Sequence, residues 1–187
     1  MNEIIENIKK RRSVRAYEAK PVPEDILMQI IDAGNSAPSG GNSQGWRFVV
    51  AEEEKFRKKL TKIAIPRYKK WMESAPENLK EMRKEVDAKT SDPIFYLAPA
   101  IVFVIGSGMS KDLDCPMVCQ NIMLAARSLN IGSCWVFFGQ LALNDPEIKK
   151  ALELKDNERV YGPILLGYPE GGFPDSPPKK QPTVKII

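Results

Sequence analysis

Residues 99–138 read PAIVFVIGSGMSKDLDCPMVCQNIMLAARSLNIGSCWVFF, and this stretch decides the fold class. Residues 100–106 form an unbroken apolar run of strand length, the pattern of a strand covered on both faces. Residues 112–130 have helix length and are apolar nearly all round, which suits a helix in a core or a subunit interface. Residues 133–138 (SCWVFF) read as another apolar strand. Gly106-Ser107-Gly108 opens like a dinucleotide fingerprint, but Lys111 stands where the third glycine belongs, so it is read as a turn.

Working outward, residues 2–10 put Ile4, Ile5 and Ile8 on one helical face, with Asn2 as cap. The basic run 11–17 (RRSVRAY) is short and extended. Residues 23–34 (PEDILMQIIDAG) read as a helix, with Pro23 in its first turn and Gly34 at its stop. A polar loop over 35–46 leads into a strand at 47–51. Residues 52–63 and 66–88 read as charged helices interrupted at Pro66 and Pro76. Asp145 and Pro146 open a short helix, and 160–168 (VYGPILLGY) is the last strand. Residues 169–187, with Pro169, Pro174, Pro177, Pro178 and Pro182, form an extended arm. Strands and helices mix without regular alternation, so the expected class is α+β, in one domain over residues 1–187.

Composition removes whole classes of chemistry. The chain has no histidine, which excludes Ser-His-Asp and Cys-His systems and His-ligated metals. Cys115, Cys119 and Cys134 are an odd set, read as free, buried thiols, with no metal site. No run of 18 apolar residues spans a membrane, and the charged N-terminus lacks a secretory pattern, so the expected compartment is the cytoplasm. A net charge of +4 implies no nucleic acid, and the lysine-rich stretch 55–70 is read as a solvated helix face. No phosphate-loop motif is present.

Three constellations remain. Arg11, Arg12, Ser13 and Arg15 set three guanidiniums and a hydroxyl within five residues, a donor set for a dianionic phosphate. In an extended segment 11, 13 and 15 share a side. Their alternative is an exposed basic turn. The loop Ala37-Pro38-Ser39-Gly40-Gly41-Asn42-Ser43-Gln44 offers close backbone approach and ring-edge donors, or is an ordinary polar turn. Lys179 and Lys180 in the arm could close over a phosphate, or be solvated.

In order, these segments resemble the nitroreductase family of flavoproteins. The resemblance rests on Arg11-Arg12-Ser13 with Arg15, the segment from Ala37 to Phe48, Gln120–Ala126, Asn130–Trp135 and Leu166-Gly167-Tyr168-Pro169 with the arm after it. It covers essentially the whole chain. It implies an α/β sandwich, an intertwined homodimer, and FMN at the dimer interface with NAD(P)H as donor. By the same resemblance, Arg11, Arg12, Ser13, Arg15 and Lys179 or Lys180 hold the FMN phosphate and ribityl chain. Pro38, Ser39, Gly40 and Asn42 come from the partner, and Trp135, Val136 and Phe137 run beside the flavin. No catalytic acid or base is implied. The acceptor is a nitroaromatic, a quinone or a similar small oxidised molecule, reached by a ping-pong route. Gly45 before Trp46, Phe137-Phe138 and Gln181 depart from the family pattern. The alternatives are reductive dehalogenation or flavin fragmentation on the same fold, or a non-enzymatic basic binding module.

Overall fold

A computed structural model describes residues 2–187. Strands β1 (Trp46–Ala51), β2 (Ala100–Gly106), β3 (Gly132–Trp135) and β4 (Arg159–Gly167) form an antiparallel sheet in the order β1-β2-β4-β3. The helices are α1 (Glu3–Lys10), α2 (Glu24–Asn35), α3 (Glu54–Glu73), α4 (Glu77–Lys89), α5 (Lys111–Ser128) and α6 (Pro146–Ala151). Two 3-10 turns cover Gly40–Asn42 and Phe137–Ala142. This is the α+β class expected from the sequence. No described helix is long and apolar enough to cross a membrane.

The sheet is the middle layer. Successive side chains of a strand point to opposite faces. Ile101, Phe103 and Ile105 of β2 therefore join Leu60, Ala64 and Tyr68 of α3, while Val102 and Val104 join residues of α2 and α5. Cover on both faces explains why the β2 sequence never alternates. In β4, Tyr161 and Ile164 face α5 together although three residues apart. The β2–β4 register shifts at this point, and Gly162, with φ of 95°, lets the strand bulge.

Asn2 caps α1 by accepting the Ile4 N–H at 2.9 Å. Asp145 caps α6 in the same way, accepting the Glu147 N–H at 3.1 Å. Three local expectations need correction. Gly34 does not stop α2, which continues to Asn35. It is buried inside the helix, where an added Cβ would lie 2.6 Å from Ile122 Cγ1, so the glycine permits close contact with α5.

Pro66 does not break α3. A proline inside a helix forfeits a hydrogen bond and costs about 3 kcal/mol. Here Ala64 and Tyr68 on either side are buried in the core. Arg67 also donates to the Leu141 carbonyl at 2.8 Å, so tertiary contacts outweigh the local penalty.

The strand expected over 133–138 ends at Trp135. Phe138 stacks edge-on against Tyr68 and Trp71, at 4.8 and 5.1 Å between ring centroids, within a turn packed on α3 rather than in the sheet.

The β1 edge is clamped by Arg47, which donates to both carboxylate oxygens of Glu158 at 2.9 and 2.8 Å. It also donates to the Leu152 and Glu153 carbonyls. The guanidinium holds the Glu158 carboxyl down from 4.5 to about 2. A carboxyl with a depressed folded pKa contributes stability that is complete above its unfolded value and is lost as the pH falls. For Glu158 that loss runs from about 4.5 down toward about 2. We expect Glu158→Gln to flatten this part of the acid-stability curve, measured by urea midpoints from neutral pH downward. Gly34→Ala should destabilise the fold by about 1–3 kcal/mol through overpacking against Ile122, read from urea unfolding.

Candidate functional site

The short basic segment after α1 is fixed by the sheet. Ser13 makes a parallel bridge to Ser133 of β3, and the Val14 N–H donates to the Ser133 carbonyl at 3.0 Å. Two further bonds tie the neighbouring backbone to α5. Asn7 donates to the Leu124 carbonyl at 2.9 Å, and Arg127 donates to that of Lys10 at 3.3 Å.

The arm returns to the same place. Tyr17 bridges Pro169, and the Glu170 N–H donates to the Ala16 carbonyl at 3.1 Å. As a result Arg11, Arg12, Ser13 and Arg15 share a cavity of about 300 Å³ with Pro174, Asp175, Pro177 and Lys179. Lys180, expected as an alternative to Lys179, is not among the lining residues.

This cavity is cationic by construction. Among the described residues, no carboxylate forms an ion pair with Arg11, Arg12, Arg15 or Lys179, and Asp175 is the one acid in the lining. Arg12 turns one guanidinium nitrogen back to the Lys9 and Arg11 carbonyls, at 2.6 Å each. Its Nε is buried without a partner. Clustered guanidiniums lacking an internal anion suit an external one, and three of them with a lysine and a hydroxyl match a phosphate dianion.

A second cavity, of about 610 Å³, adjoins the first through Ser13, Arg15 and Pro174. Its far wall comes from residues to which sequence reading gave no functional role: Val86 and Lys89 of α4, then Thr90, Tyr96 and Leu97. Tyr96 and Leu97 have positive φ, 52° and 56°, a strained backbone of the kind that gathers at binding sites. No sequence signal marked these residues, because neither conformation belongs to a helix or strand period.

Beyond Ser133, β3 ends at Trp135, which is 37% exposed. Val136 is buried and its N–H is taken by the Pro163 carbonyl at 2.9 Å. The Val136 side chain belongs to the core cluster on the α3 side of the sheet. Phe137 opens the following 3-10 turn and is 67% exposed.

The other expected segment lies elsewhere. Gly40 donates to Asp114 Oδ1 at 3.3 Å, and Asp114 is a buried residue in the first turns of α5 that also accepts from Ser110 at 2.5 Å. Ser39 accepts the Gln44 N–H at 3.0 Å. Gly41, Asn42 and Gln44 all have positive φ, at 58°, 55° and 44°. Pro38, Ser39, Gly40 and Asn42 thus stand at the N-terminal end of α5, and Arg11–Arg15 at its C-terminal end. An 18-residue helix is about 27 Å long, so one chain does not unite the two groups.

Residues 8–168 match the Nitroreductase family. The chain belongs to that family. Its full length superposes on a crystal structure of a nitroreductase with bound FMN from Bacteroides fragilis, with TM-score 0.80, 32% identity and 100% of both chains covered. It is 28% identical to the FMN reductase (NAD(P)H) of Bacillus subtilis, over 90% of this chain and 67% of that protein. It is 25% identical to the iodotyrosine deiodinase of Thermotoga neapolitana, over 100% of this chain and 97% of that protein.

None of the three thiols lines either cavity. Cys115, Cys119 and Cys134 are free and buried, as expected. Burial pushes all three up, Cys115 to about 11, so they stay protonated and unreactive at neutral pH.

Proposed function

We propose that this chain is an FMN-dependent oxidoreductase. It passes electrons from NAD(P)H to a nitroaromatic, a quinone or a similar small oxidised acceptor, as a homodimer with two shared sites. The observation that carries the reading is the meeting of Arg11, Arg12, Arg15 and Lys179, from both chain ends, around one cavity, with no ion-pair partner of their own among the described residues. FMN would supply a ring that takes a hydride from one partner and returns two electrons to the next.

The protein's share is binding and orientation. Arg11 and Arg15 grip the phosphate through charge-assisted bonds, Lys179 adds a point charge, and Ser13 donates its hydroxyl. Arg15 also lines the larger cavity, so its charge favours negative charge gathered beside it. At the start of the turn after β3, the Phe137 N–H would be a backbone donor for the ring. The second subunit supplies Pro38, Ser39, Gly40 and Asn42, whose left-handed neighbours pre-set the loop.

Two observations support the shared site. The helix length above keeps the two groups apart within one chain. In addition, Ile4, Ile5 and Ile8 of α1 and Leu113 and Met117 of α5 remain exposed, an apolar surface fitted to a second copy. No protein acid or base is required, consistent with a chain that lacks histidine.

A second reading keeps the flavin and the dimer but removes halide from an aromatic ring. It is favoured by the full-length likeness to the deiodinase. Iodide release from 3-iodotyrosine under reducing conditions separates it from nitro or quinone reduction.

Steady-state oxidation of NADPH with menadione or nitrofurazone should give parallel double-reciprocal lines. A purified protein that stays colourless and takes up no FMN would sink the reading. Arg15→Ala should weaken FMN binding by about 1.5–3 kcal/mol, read by flavin fluorescence. Co-expressing Arg15→Ala chains with chains carrying Asn42→Ala and Gly40→Pro should restore one intact site per mixed dimer. No recovery of flavin binding in that mixture would remove the shared-site arrangement.

A further inference from the structure

Helix α4 supplies Val86 and Lys89 to the wall of the larger cavity, yet of its 13 residues Arg83 alone is buried. A helix at a protein surface is ordinarily held by an apolar stripe. Here a buried cation takes that place. The ion pairs Lys80–Glu77 and Lys89–Glu85 lie within α4 itself. Among the described residues, Arg83 and Asp87 are the α4 side chains hydrogen-bonded to the rest of the chain.

The Arg83 guanidinium donates to the Tyr68 hydroxyl at 2.9 Å, to the Tyr96 hydroxyl at 2.8 Å, to Asp87 at 3.0 Å and to the Pro93 carbonyl. Tyr68 in turn donates to Asp87 at 2.7 Å. The same guanidinium lies 5.2 Å from the ring centre of Tyr68 and 5.5 Å from that of Phe138. One side chain therefore joins α4 to α3, to the stretch from Pro93 to Tyr96 and to the turn after β3. Tyr96 lines the larger cavity with a φ of 52°, a conformation that persists only where its surroundings over-determine it. Replacing a buried ion pair by packed apolar groups is often neutral for stability, so stability alone does not call for this one. The rigid fork of an arginine does fix directions, and a cavity wall needs fixed directions.

We propose that Arg83 is a positioning residue. It holds Tyr96 and α4 as the wall against which the oxidised acceptor rests, and it touches neither flavin nor acceptor. The inference rests on the flavin reading above. On that reading, the larger cavity is the room beside the ring, since it adjoins the phosphate cavity through Ser13 and Arg15.

The test uses the full chain loaded with FMN. Photoreduction first checks that the flavin is bound and reducible, and failure there counts against the flavin reading rather than against the role of Arg83. The reduced protein is then mixed with menadione, and its reoxidation rate is followed against menadione concentration. Arg83→Met should raise the half-saturating concentration by about tenfold or more, through misplacement of the wall. The rate at saturation, the FMN affinity and reoxidation by dioxygen, a molecule too small to rest on the wall, should stay within about twofold of the parent. Arg83→Lys keeps the charge but loses the fork, and should fall between the parent and Arg83→Met. Tyr96→Phe should weaken menadione binding in the same direction. Combined with Arg83→Lys it should cost less than the two single losses together, as for residues that act as one unit. This pair decides the matter if Arg83→Met does not fold. The proposal is overturned if menadione binding is unchanged in these variants or if the two losses simply add. It is equally overturned if FMN affinity and dioxygen reoxidation fall in step with menadione binding.

Discussion

The rise of an α-helix is fixed at about 1.5 Å per residue, and α5 is buried against the sheet and α2 along most of its length. The helix cannot bend to bring its ends together without losing the packing of Val118, Cys119, Ile122 and Ala126. Its first turns hold the Ser39–Gln44 loop through Asp114, and its last turn and the following strand hold the Arg11–Arg15 segment. Every spatial relation between those two groups follows from that rod. The same rod carries Leu113 and Met117 outward, so the element that separates the two segments also presents exposed apolar side chains.

Charge is distributed as unevenly as polar chemistry. Arg11, Arg12 and Arg15 sit close together although like charges repel, and the sheet bridge at Ser13 with the returning arm holds them there. Internal carboxylates neutralise Arg47, Arg67, Arg83 and Arg159 elsewhere in the molecule. The contrast separates cations used to build the fold from cations left for something outside it. Arg83 belongs to the first group: buried, it donates to Tyr68, Tyr96, Asp87 and the Pro93 carbonyl, and so braces the wall of the larger cavity.

Several elements were legible from sequence because their signals are local. The Asn2 and Asp145 caps act within two residues, and the apolar run of β2 and the spacing in α5 identify the elements that contain them. Errors arose where a distant contact overrides a local preference. Pro66 should end a helix, but α3 is held through it by the core. Gly34 should end a helix, but its missing Cβ makes room for Ile122. Phe137 and Phe138 have strand propensity, but Phe138 stacks on Tyr68 and Trp71 of α3. Lys89, Thr90, Tyr96 and Leu97 were invisible, since lining a cavity imposes no period on a sequence.

The sequence by itself determined the α+β class, the main elements, the excluded chemistries, and the residue types fit to hold a phosphate. These depend on composition and on neighbours a few residues apart. Only the tertiary structure decided that Lys179 rather than Lys180 joins the arginines. It also decided that the larger cavity borrows its wall from α4, and that the Pro38–Asn42 segment stands a helix length away from Arg11–Arg15. Those facts depend on contacts between residues many tens of positions apart, and a helix or strand period carries no information at that range.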